Sequence, residues 1–327
     1  MFRVLRLNAR TFPVLPAERA ALDADKFELV EAELPGECGC PGDIDAVMIV
    51  SAYFTAADMA RFPRCRIISR LGNGCDKIDL SEAARRGIPV ANVPDSFSCE
   101  VADHTVAMML SCLRKLPQQD AMMRRGTRPL DEYGLHRISG MTLGIIGFGR
   151  IGRLVAARAS AFGMAIAFTG SRAPDGTDGA KKLTLPELLR VSDVLTLQCP
   201  LNDRTRGMLG MREFRQMKPE AVIVNTGRGE LIREDELAEA LREGVIAGAA
   251  LDVFGCVNVF TEGGFPTDHP LFSLPNVLLT PHVAANSVEG RRETHARGAA
   301  AVAEYLSAGI LPENIVNREE WEKFRNA

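Results

Sequence analysis

Two side chains stand out for the chemistry they could do together: the guanidinium of Arg228 and the imidazole of His282. A guanidinium grips a carboxylate at two points and polarises a carbonyl beside it. An imidazole titrates near neutral pH and can give or take a hydroxyl proton. A carboxylate next to that imidazole would raise its pKa and fix its tautomer. Taken singly, Arg228 also reads as a surface arginine after a strand, and His282 as a residue capping a loop. Their shared setting favours chemistry. Each stands where an apolar run gives way to polar residues, in "AVIVNTGRGE" (221–230) and "VLLTPHVAAN" (277–286). The runs "VLTLQCP" (194–200) and "AGAALDVF" (247–254) end in the same way. As parallel strands of one open sheet, these runs would place all their carboxyl ends along one rim, where ligands bind. Thr226, Arg228, Asp252 and His282 then gather, although up to 56 residues separate them. His104, His136, His269 and His295 lack such a setting, and structural or solvent roles are expected of them.

A second pattern suggests what the rim holds. "LGIIGFGRIG" (143–152) contains Gly147-x-Gly149-x-x-Gly152 between an apolar strand and a helix with Ile151, Leu154, Val155, Ala159 and Phe162 on one face. Gly147 permits the tight turn, Gly149 lets a pyrophosphate approach the backbone, and Gly152 lets helix and strand pack closely. The helix N-terminus offers unpaired N–H groups and partial positive charge to the phosphates. The alternative is a glycine-rich turn without a ligand, which leaves the position of all three glycines at the junction unexplained. With a dinucleotide there, the rim suits hydride transfer between a nicotinamide and a carbonyl or secondary alcohol.

The next strand ends within "AIAFTGSRAPDG" (165–176), about where an acid would bind the ribose hydroxyls of NAD. Gly170 cannot do this. Ser171 as hydroxyl donor and Arg172 as charged fork would instead welcome a 2′-phosphate. The residues therefore point to NADP(H), with a plain surface turn as the competing reading.

These elements must be carried by a sizeable core. The chain has 327 residues, 46% hydrophobic and 25% charged, enough for two soluble domains. A net charge of −3 argues against nucleic acid or an anionic membrane as partner. The start lacks a signal-peptide pattern, and eight cysteines at irregular spacing read as reduced cytoplasmic thiols. Cys38 and Cys40 have no second pair to complete a metal site and read as incidental. In the first hundred residues, apolar runs at 4–7, 27–30, 46–50, 66–69 and 88–93 alternate with helical patterns at 17–24, 55–62 and 80–87. Asp79 caps the last of these and Gly87 stops it. One long helix from Glu100 leads into a polar segment. A second alternating series follows from Met141, and a final helix begins near residue 289. Such alternation predicts an α/β chain with two doubly wound parallel sheets.

Taken together, "RLGNGCDKIDLSEAARRGIPVANVPDSFSCEVADHTVAMML", "LGIIGFGRIG", "VNTGRGELIREDELAEAL", "GAALDVF" and "LPNVLLTPH" resemble the D-isomer-specific 2-hydroxyacid dehydrogenases. That group includes phosphoglycerate, glycerate/hydroxypyruvate and formate dehydrogenases and the C-terminal binding proteins. The resemblance covers nearly the whole chain. It implies a discontinuous flavodoxin-like substrate domain, residues 1–99 plus 286–327, and a Rossmann cofactor domain, residues 100–285. It also implies that Arg228 binds the substrate carboxylate, that His282 is the acid/base and that Asp252 faces the nicotinamide amide. Arg150 and Ile151 would lie over the pyrophosphate, and the amides of Asn73 and Gly74 would bind the substrate carboxylate. Tyr53 and Phe54 are expected to line the substrate pocket. Cys199, Pro200, Thr205, Thr226, Gly227 and Ala284 complete the expected cofactor surface, and a homodimer through the cofactor domain is expected.

One departure concerns the acid beside His282. The family normally carries a glutamate shortly after the "DVF" strand, just before a proline. Here "DVFGCVNVFTEGGFPTDHPLF" has Val257 and Asn258 at that place, in a lengthened segment. Glu262 is its only glutamate and falls near the expected position when counted back from His269, so it takes the partner role. Gly227 replaces the family's usual alanine. The leading expectation is a dehydrogenase that interconverts a small 2-oxo acid and its D-2-hydroxy acid with NADP(H), with NAD(H) as second choice. The alternative is a nucleotide-sensing scaffold of the C-terminal-binding-protein type, which "NVPDSFSCEVADHT" resembles.

Overall fold

The computed structural model describes residues 1–127, 134–170, 172–261 and 263–325. The chain divides into two compact units, Met1–Phe97 with Asn286–Ala327, and Ser98–Ala285.

In the first unit the chain runs β1 (Phe2–Arg6), α1 (Pro16–Ala21), β2 (Phe27–Glu31), β3 (Ala46–Ile49), α2 (Ala56–Ala60), β4 (Ile67–Arg70), α3 (Leu80–Arg85) and β5 (Val90–Ala91). The strands pair in parallel in the order β2-β1-β3-β4-β5, the flavodoxin-like order. Parallel strands covered on both faces favour near-continuous apolar runs. In β3, Ala46 and Met48 enter one core cluster, and Val47 and Ile49 enter another. The Asp79 carboxylate accepts the Glu82 N–H at 2.9 Å and caps α3, and Gly87 follows with φ 71°.

The second unit continues with α4 (Ser98–Leu113), α5 (Leu116–Arg124), β6 (Thr142–Ile146), α6 (Arg150–Ala161), β7 (Ala165–Thr169) and β8 (Lys181–Lys182). It is completed by α7 (Leu185–Val191), β9 (Val194–Leu197), α8 (Met211–Phe214), β10 (Val222–Asn225), α9 (Glu234–Arg242), β11 (Gly248–Leu251) and β12 (Val277–Leu279). Its strands are parallel in the order β12-β11-β10-β9-β6-β7-β8. The chain winds outward from β6 through β7 to β8, then crosses to β9 on the other side of β6. That reversal opens a crevice at the carboxyl ends of β6 and β9, the usual ligand position in such sheets. The long helix expected from Glu100 is α4, and the segment read as polar beyond it holds a second helix: Lys115 is left-handed (φ 50°) and Pro117 lies in the first turn of α5. Proline has no N–H to continue α4 and is tolerated where a new helix starts.

The chain returns to the first unit as α10 (Val288–Ala308) and α11 (Arg318–Arg325). Ser69 donates to the Gly298 carbonyl at 2.9 Å, and a Cβ on Gly298 would lie 2.3 Å from Leu71 Cδ2. A buried ionic cluster fixes this return. Arg6 Nε lies 2.7 Å from Glu18 Oε2, and His295 Nδ1 lies 2.8 Å from Glu18 Oε1. The remaining Arg6 donors reach the Leu7 and Phe12 carbonyls, so β1, α1 and α10 meet at one carboxylate. Burial alone pushes the Glu18 carboxyl up, but hydrogen bonds from His295 and Arg6 and the Arg6 charge hold it down at about 2. Among the described residues, no helix is long and apolar enough to cross a membrane.

Removing one partner from a buried ion cluster leaves an uncompensated charge, which costs about 3–5 kcal/mol. Glu18→Gln is therefore expected to lower the unfolding free energy by that order, read from urea unfolding as a lower midpoint. The native Glu18 carboxyl is depressed, so its contribution is complete above the ordinary carboxyl pKa near 4.5 and fades as pH falls toward about 2. The gap between parent and Glu18→Gln should close over that range. An equal gap at pH 7 and pH 3 contradicts the assignment.

Candidate functional site

The turn after β6 has the shape its glycines require. Gly147 has φ 97°, and a Cβ there would lie 2.5 Å from the Gln198 carbonyl oxygen. A Cβ on Gly152 would lie 2.3 Å from the Gly147 oxygen. These two glycines let backbone meet backbone, which no larger residue permits. Gly149 is different, because a Cβ there would meet nothing within 4 Å. It is exposed at the start of α6, beside exposed Arg150 and half-buried Ile151, and supplies no side chain to cap that helix. Open space in front of an uncapped helix N-terminus suits a diphosphate. Phe148 turns inward and stacks on Phe168 with ring centroids 4.2 Å apart.

At the end of β7, Gly170 is left-handed (φ 69°) and Arg172 is exposed. Ser171 lies outside the described residues. Asp175, the nearest acid along the chain, accepts the Lys182 N–H at 2.6 Å and so closes its own loop. Arg153 in α6 pairs with Asp178 at 2.6 Å and ties that loop to the helix. Beyond β9, Cys199 is buried, and burial pushes its thiol up to about 11. Pro200 is exposed, and its carbonyl accepts from the Thr205 hydroxyl at 2.7 Å.

The loop after β10 carries Arg228. Buried Asn225 pins it: the side-chain amide donates to the Arg228 carbonyl at 2.8 Å, and Oδ1 accepts the Gly227 N–H at 3.1 Å. A Cβ on Gly227 would approach the Leu197 oxygen to 3.0 Å, so the missing methyl relieves a contact with the neighbouring strand. Thr226 is buried, with its Oγ1 2.7 Å from Thr105 Oγ1 and 3.1 Å from the donating Gln198 Nε2.

His282 follows β12 with φ 56°, an uncommon value for a side chain with a Cβ. Asp252, at the end of β11, holds this loop. Its Oδ1 accepts the Thr280 hydroxyl at 2.5 Å and the Val283 N–H at 2.9 Å, and its Oδ2 accepts the Ala284 N–H at 2.9 Å. Asp252 has no exposed surface. Burial would push its carboxyl up, but hydrogen bonds from His104, Thr280, Val283 and Ala284 prevail and keep it below its usual range. Both oxygens of Asp252 bind the loop that bears His282. His104, which the sequence left among structural or solvent histidines, lies 3.1 Å from Thr280 Oγ1 and 3.6 Å from Asp252 Oδ1. Only the fold could reveal that position.

The lengthened segment after β11 is anchored at both ends by α9. Glu234 accepts the Gly255 and Cys256 N–H groups at 2.7 Å each. Asp235 lies 3.1 Å from His269 Nε2, and His269 Nδ1 accepts the Leu271 N–H at 3.3 Å. Between these anchors, the Phe260 ring packs 5.1 Å from the His282 ring, tilted by 48°. Glu262, the expected partner of His282, lies outside the described residues. In the first unit, Arg70 Nε donates to the Gly74 carbonyl at 2.9 Å, and the Asn73 carbonyl accepts from Asn92 at 2.7 Å. These bonds use carbonyls and shape the turn bearing the Asn73 and Gly74 amides. Tyr53 is 65% exposed, with Lys77 Nζ 5.0 Å from its ring centroid. Phe54 is fully buried against Phe62 and therefore lines no pocket, which corrects the expectation for it. Its carbonyl and N–H pair with the chain at Lys77 and Asp79, which turns the ring into the core.

The glycines give a paired prediction. Gly147→Ala should lower the melting temperature markedly, because its Cβ meets backbone. Gly149→Ala should melt within a few degrees of the parent, yet NADPH should raise its melting temperature far less. Equal stabilisation by NADPH in Gly149→Ala and the parent contradicts the diphosphate assignment.

Comparison with known proteins agrees with this geometry. Residues 106–284 match the NAD binding domain of the D-isomer specific 2-hydroxyacid dehydrogenases. A glyoxylate reductase of Korarchaeum cryptofilum is 39% identical over 289 residues, covering 85% of this chain and 84% of that protein. A D-3-phosphoglycerate dehydrogenase of Methanocaldococcus jannaschii is 38% identical over 280 residues, covering 84% of this chain and 52% of that longer protein. The crystal structure of an NADPH-dependent glyoxylate/hydroxypyruvate reductase from Sinorhizobium meliloti, in complex with NADP and malonate, superposes with a TM-score of 0.83. It is 32% identical and covers 97% of each chain. The chain belongs to the D-isomer-specific 2-hydroxyacid dehydrogenase family and is an NAD(P)-dependent oxidoreductase of 2-oxo and 2-hydroxy acids.

Proposed function

We propose that this enzyme reduces a small 2-oxo acid of the glyoxylate or hydroxypyruvate class to the D-2-hydroxy acid, with NADP(H) in preference to NAD(H). The observation that carries the cofactor choice is the carboxyl end of β7. Arg172 is exposed there, the nearest acid along the chain is occupied by its own loop, and Gly170 offers no carboxylate. A 2′-phosphate gains a charged partner at such a strand end and meets no like charge. The relatives named as glyoxylate reductases, and the Sinorhizobium enzyme named as NADPH-dependent, favour the same substrate class and cofactor.

In this reading Arg228 holds the carboxylate of the oxo acid and draws electron density from the adjacent carbonyl. The amides of Asn73 and Gly74 bind the same carboxylate, and Tyr53 belongs to the substrate side. The bound nicotinamide supplies hydride to the carbonyl carbon. His282 delivers a proton to the carbonyl oxygen, so one hydride and one proton complete the hydroxy acid. In the oxidative direction His282 takes that proton back. Glu262 is the proposed carboxylate partner of His282. Exposed Leu116 and Met123 on α5 favour a homodimer formed through this unit.

The purified protein should oxidise NADPH in the presence of glyoxylate or hydroxypyruvate, followed by absorbance. His282→Ala should lose about 100- to 10,000-fold in kcat while still binding nucleotide. Arg172→Ala should raise the KM for NADPH about tenfold and leave that for NADH unchanged, the loss of one charge-assisted contact at an exposed site. Equal use of both nucleotides, unaffected by Arg172→Ala, overturns the cofactor assignment. Full turnover in His282→Ala overturns the acid/base assignment.

A further inference from the structure

The geometry points to His104 and Thr105, adjacent residues of α4, as the positioning pair that fixes the Arg228 loop and the His282 loop to one rigid element. The inference rests on the roles given above to Arg228 and His282.

A hydroxyl has one proton to donate and two lone pairs to accept with. Thr105 Oγ1 donates to the Val101 carbonyl at 2.6 Å, one turn back along α4. The contact of 2.7 Å between Thr105 and Thr226 must then carry the Thr226 proton, with Thr105 accepting. Thr226 in turn accepts from Gln198 Nε2 at 3.1 Å, and Gln198 reaches Thr196 at 3.0 Å. Thr226 lies two residues before Arg228, on the loop that Asn225 closes. Thr105 is therefore the point where that loop meets α4.

The same count applies one residue earlier. Thr280 Oγ1 lies 2.5 Å from Asp252 Oδ1, and the depressed carboxyl of Asp252 is ionised and can only accept. The Thr280 proton is thus committed to Asp252. His104 Nε2, 3.1 Å from Thr280 Oγ1, must carry a proton and donate it. The same N–H faces Asp252 Oδ1 at 3.6 Å. Asp252 then holds the Val283 and Ala284 N–H groups, immediately after His282. Two short hydrogen-bonded chains thus leave neighbouring residues of α4, one toward the guanidinium loop and one toward the imidazole loop.

α4 is a suitable anchor. It is 16 residues long and buries Ala102, Val106, Met108 and Met109 in the cluster shared with β6 and with Val155 and Ala156 of α6. His104 and Thr105 reach the two loops through Thr280, Asp252 and Thr226. Displacement of a reacting group by about 1 Å can cost about 100-fold in rate, which gives such anchors leverage.

The pair makes a crossed prediction, testable on the full-length enzyme with NADPH and glyoxylate. His104→Ala should lower kcat on the order of tenfold with KM for glyoxylate nearly unchanged, because proton delivery is misaligned. Thr105→Val keeps its shape but loses the hydrogen bonds, and should mainly raise the KM for glyoxylate, because the carboxylate grip is loosened. His104→Gln, whose amide can donate from the Nε2 position, should recover most of kcat, and Thr105→Ser should recover KM. NADPH titration counts the folded sites in each variant, so loss of folded protein is separated from misplacement. Parent kcat and KM in both His104→Ala and Thr105→Val overturn the proposal while His282→Ala remains inactive. Uniform losses in both variants that Gln and Ser fail to rescue also overturn it. Turnover surviving in His282→Ala overturns the positioning claim together with the acid/base reading beneath it.

Discussion

A buried carboxylate organises the site. Asp252 has no contact with solvent, and an ion in that position costs several kcal/mol unless its oxygens are fully hydrogen-bonded. It is compensated by two backbone N–H groups and a hydroxyl, all from the 280–284 stretch. The same bonds hold His282 at φ 56°, a conformation that an L-residue keeps only where its surroundings over-determine it. The carboxylate and the unusual backbone explain each other: the loop satisfies the charge, and the charge fixes the loop. The Arg228 loop is built on the same plan with a neutral side chain, since buried Asn225 bonds both Gly227 and Arg228.

The sheet converts these local devices into a site. Parallel strands bring the ends of β6, β7, β9, β10, β11 and β12 to one rim, and the reversal of order between β6 and β9 opens it beside the glycine turn. The open space in front of Gly149 and the exposed Arg172 lie at the ends of β6 and β7, where the proposed dinucleotide would meet them. The lengthened segment after β11 is kept near this rim by neighbouring acids at the start of α9, Glu234 at one end and Asp235 at the other. It carries Phe260 beside the His282 ring, with the two rings tilted against each other.

The legible parts of the chain are those whose cause is local. The glycine turn can be read because φ 97° at Gly147 and the close approach at Gly152 are demands on single residues. Most strands of both sheets are legible as apolar runs, since burial on two faces favours apolar residues, and the buried Arg6, Ser69 and Asn225 are hydrogen-bonded exceptions. β8 is not, because Lys181 and Lys182 form an exposed edge with no apolar signature. α5 is not legible either, because it lies in the polar segment and buries none of its residues. The fold places Phe54 in the core because its burial depends on Phe62 and not on its own neighbours in sequence. His104 and Asp252 were illegible in these roles for a stronger reason. The Thr280 partner of His104 lies 176 positions away, and Asp252 is held in part by the Val283 and Ala284 N–H groups, which leave no trace in residue type.

Amide hydrogen exchange at Val283 and Ala284 tests the centre of this account most directly, compared between the parent and Asp252→Asn. In the parent both amides should exchange slowly, although they lie in a loop. In Asp252→Asn, where an amide group replaces one acceptor oxygen, exchange at these positions should accelerate while the amides of β6 keep their protection. Rapid exchange of both amides in the parent, or unchanged rates in the variant, would show that the buried carboxylate does not hold the histidine loop.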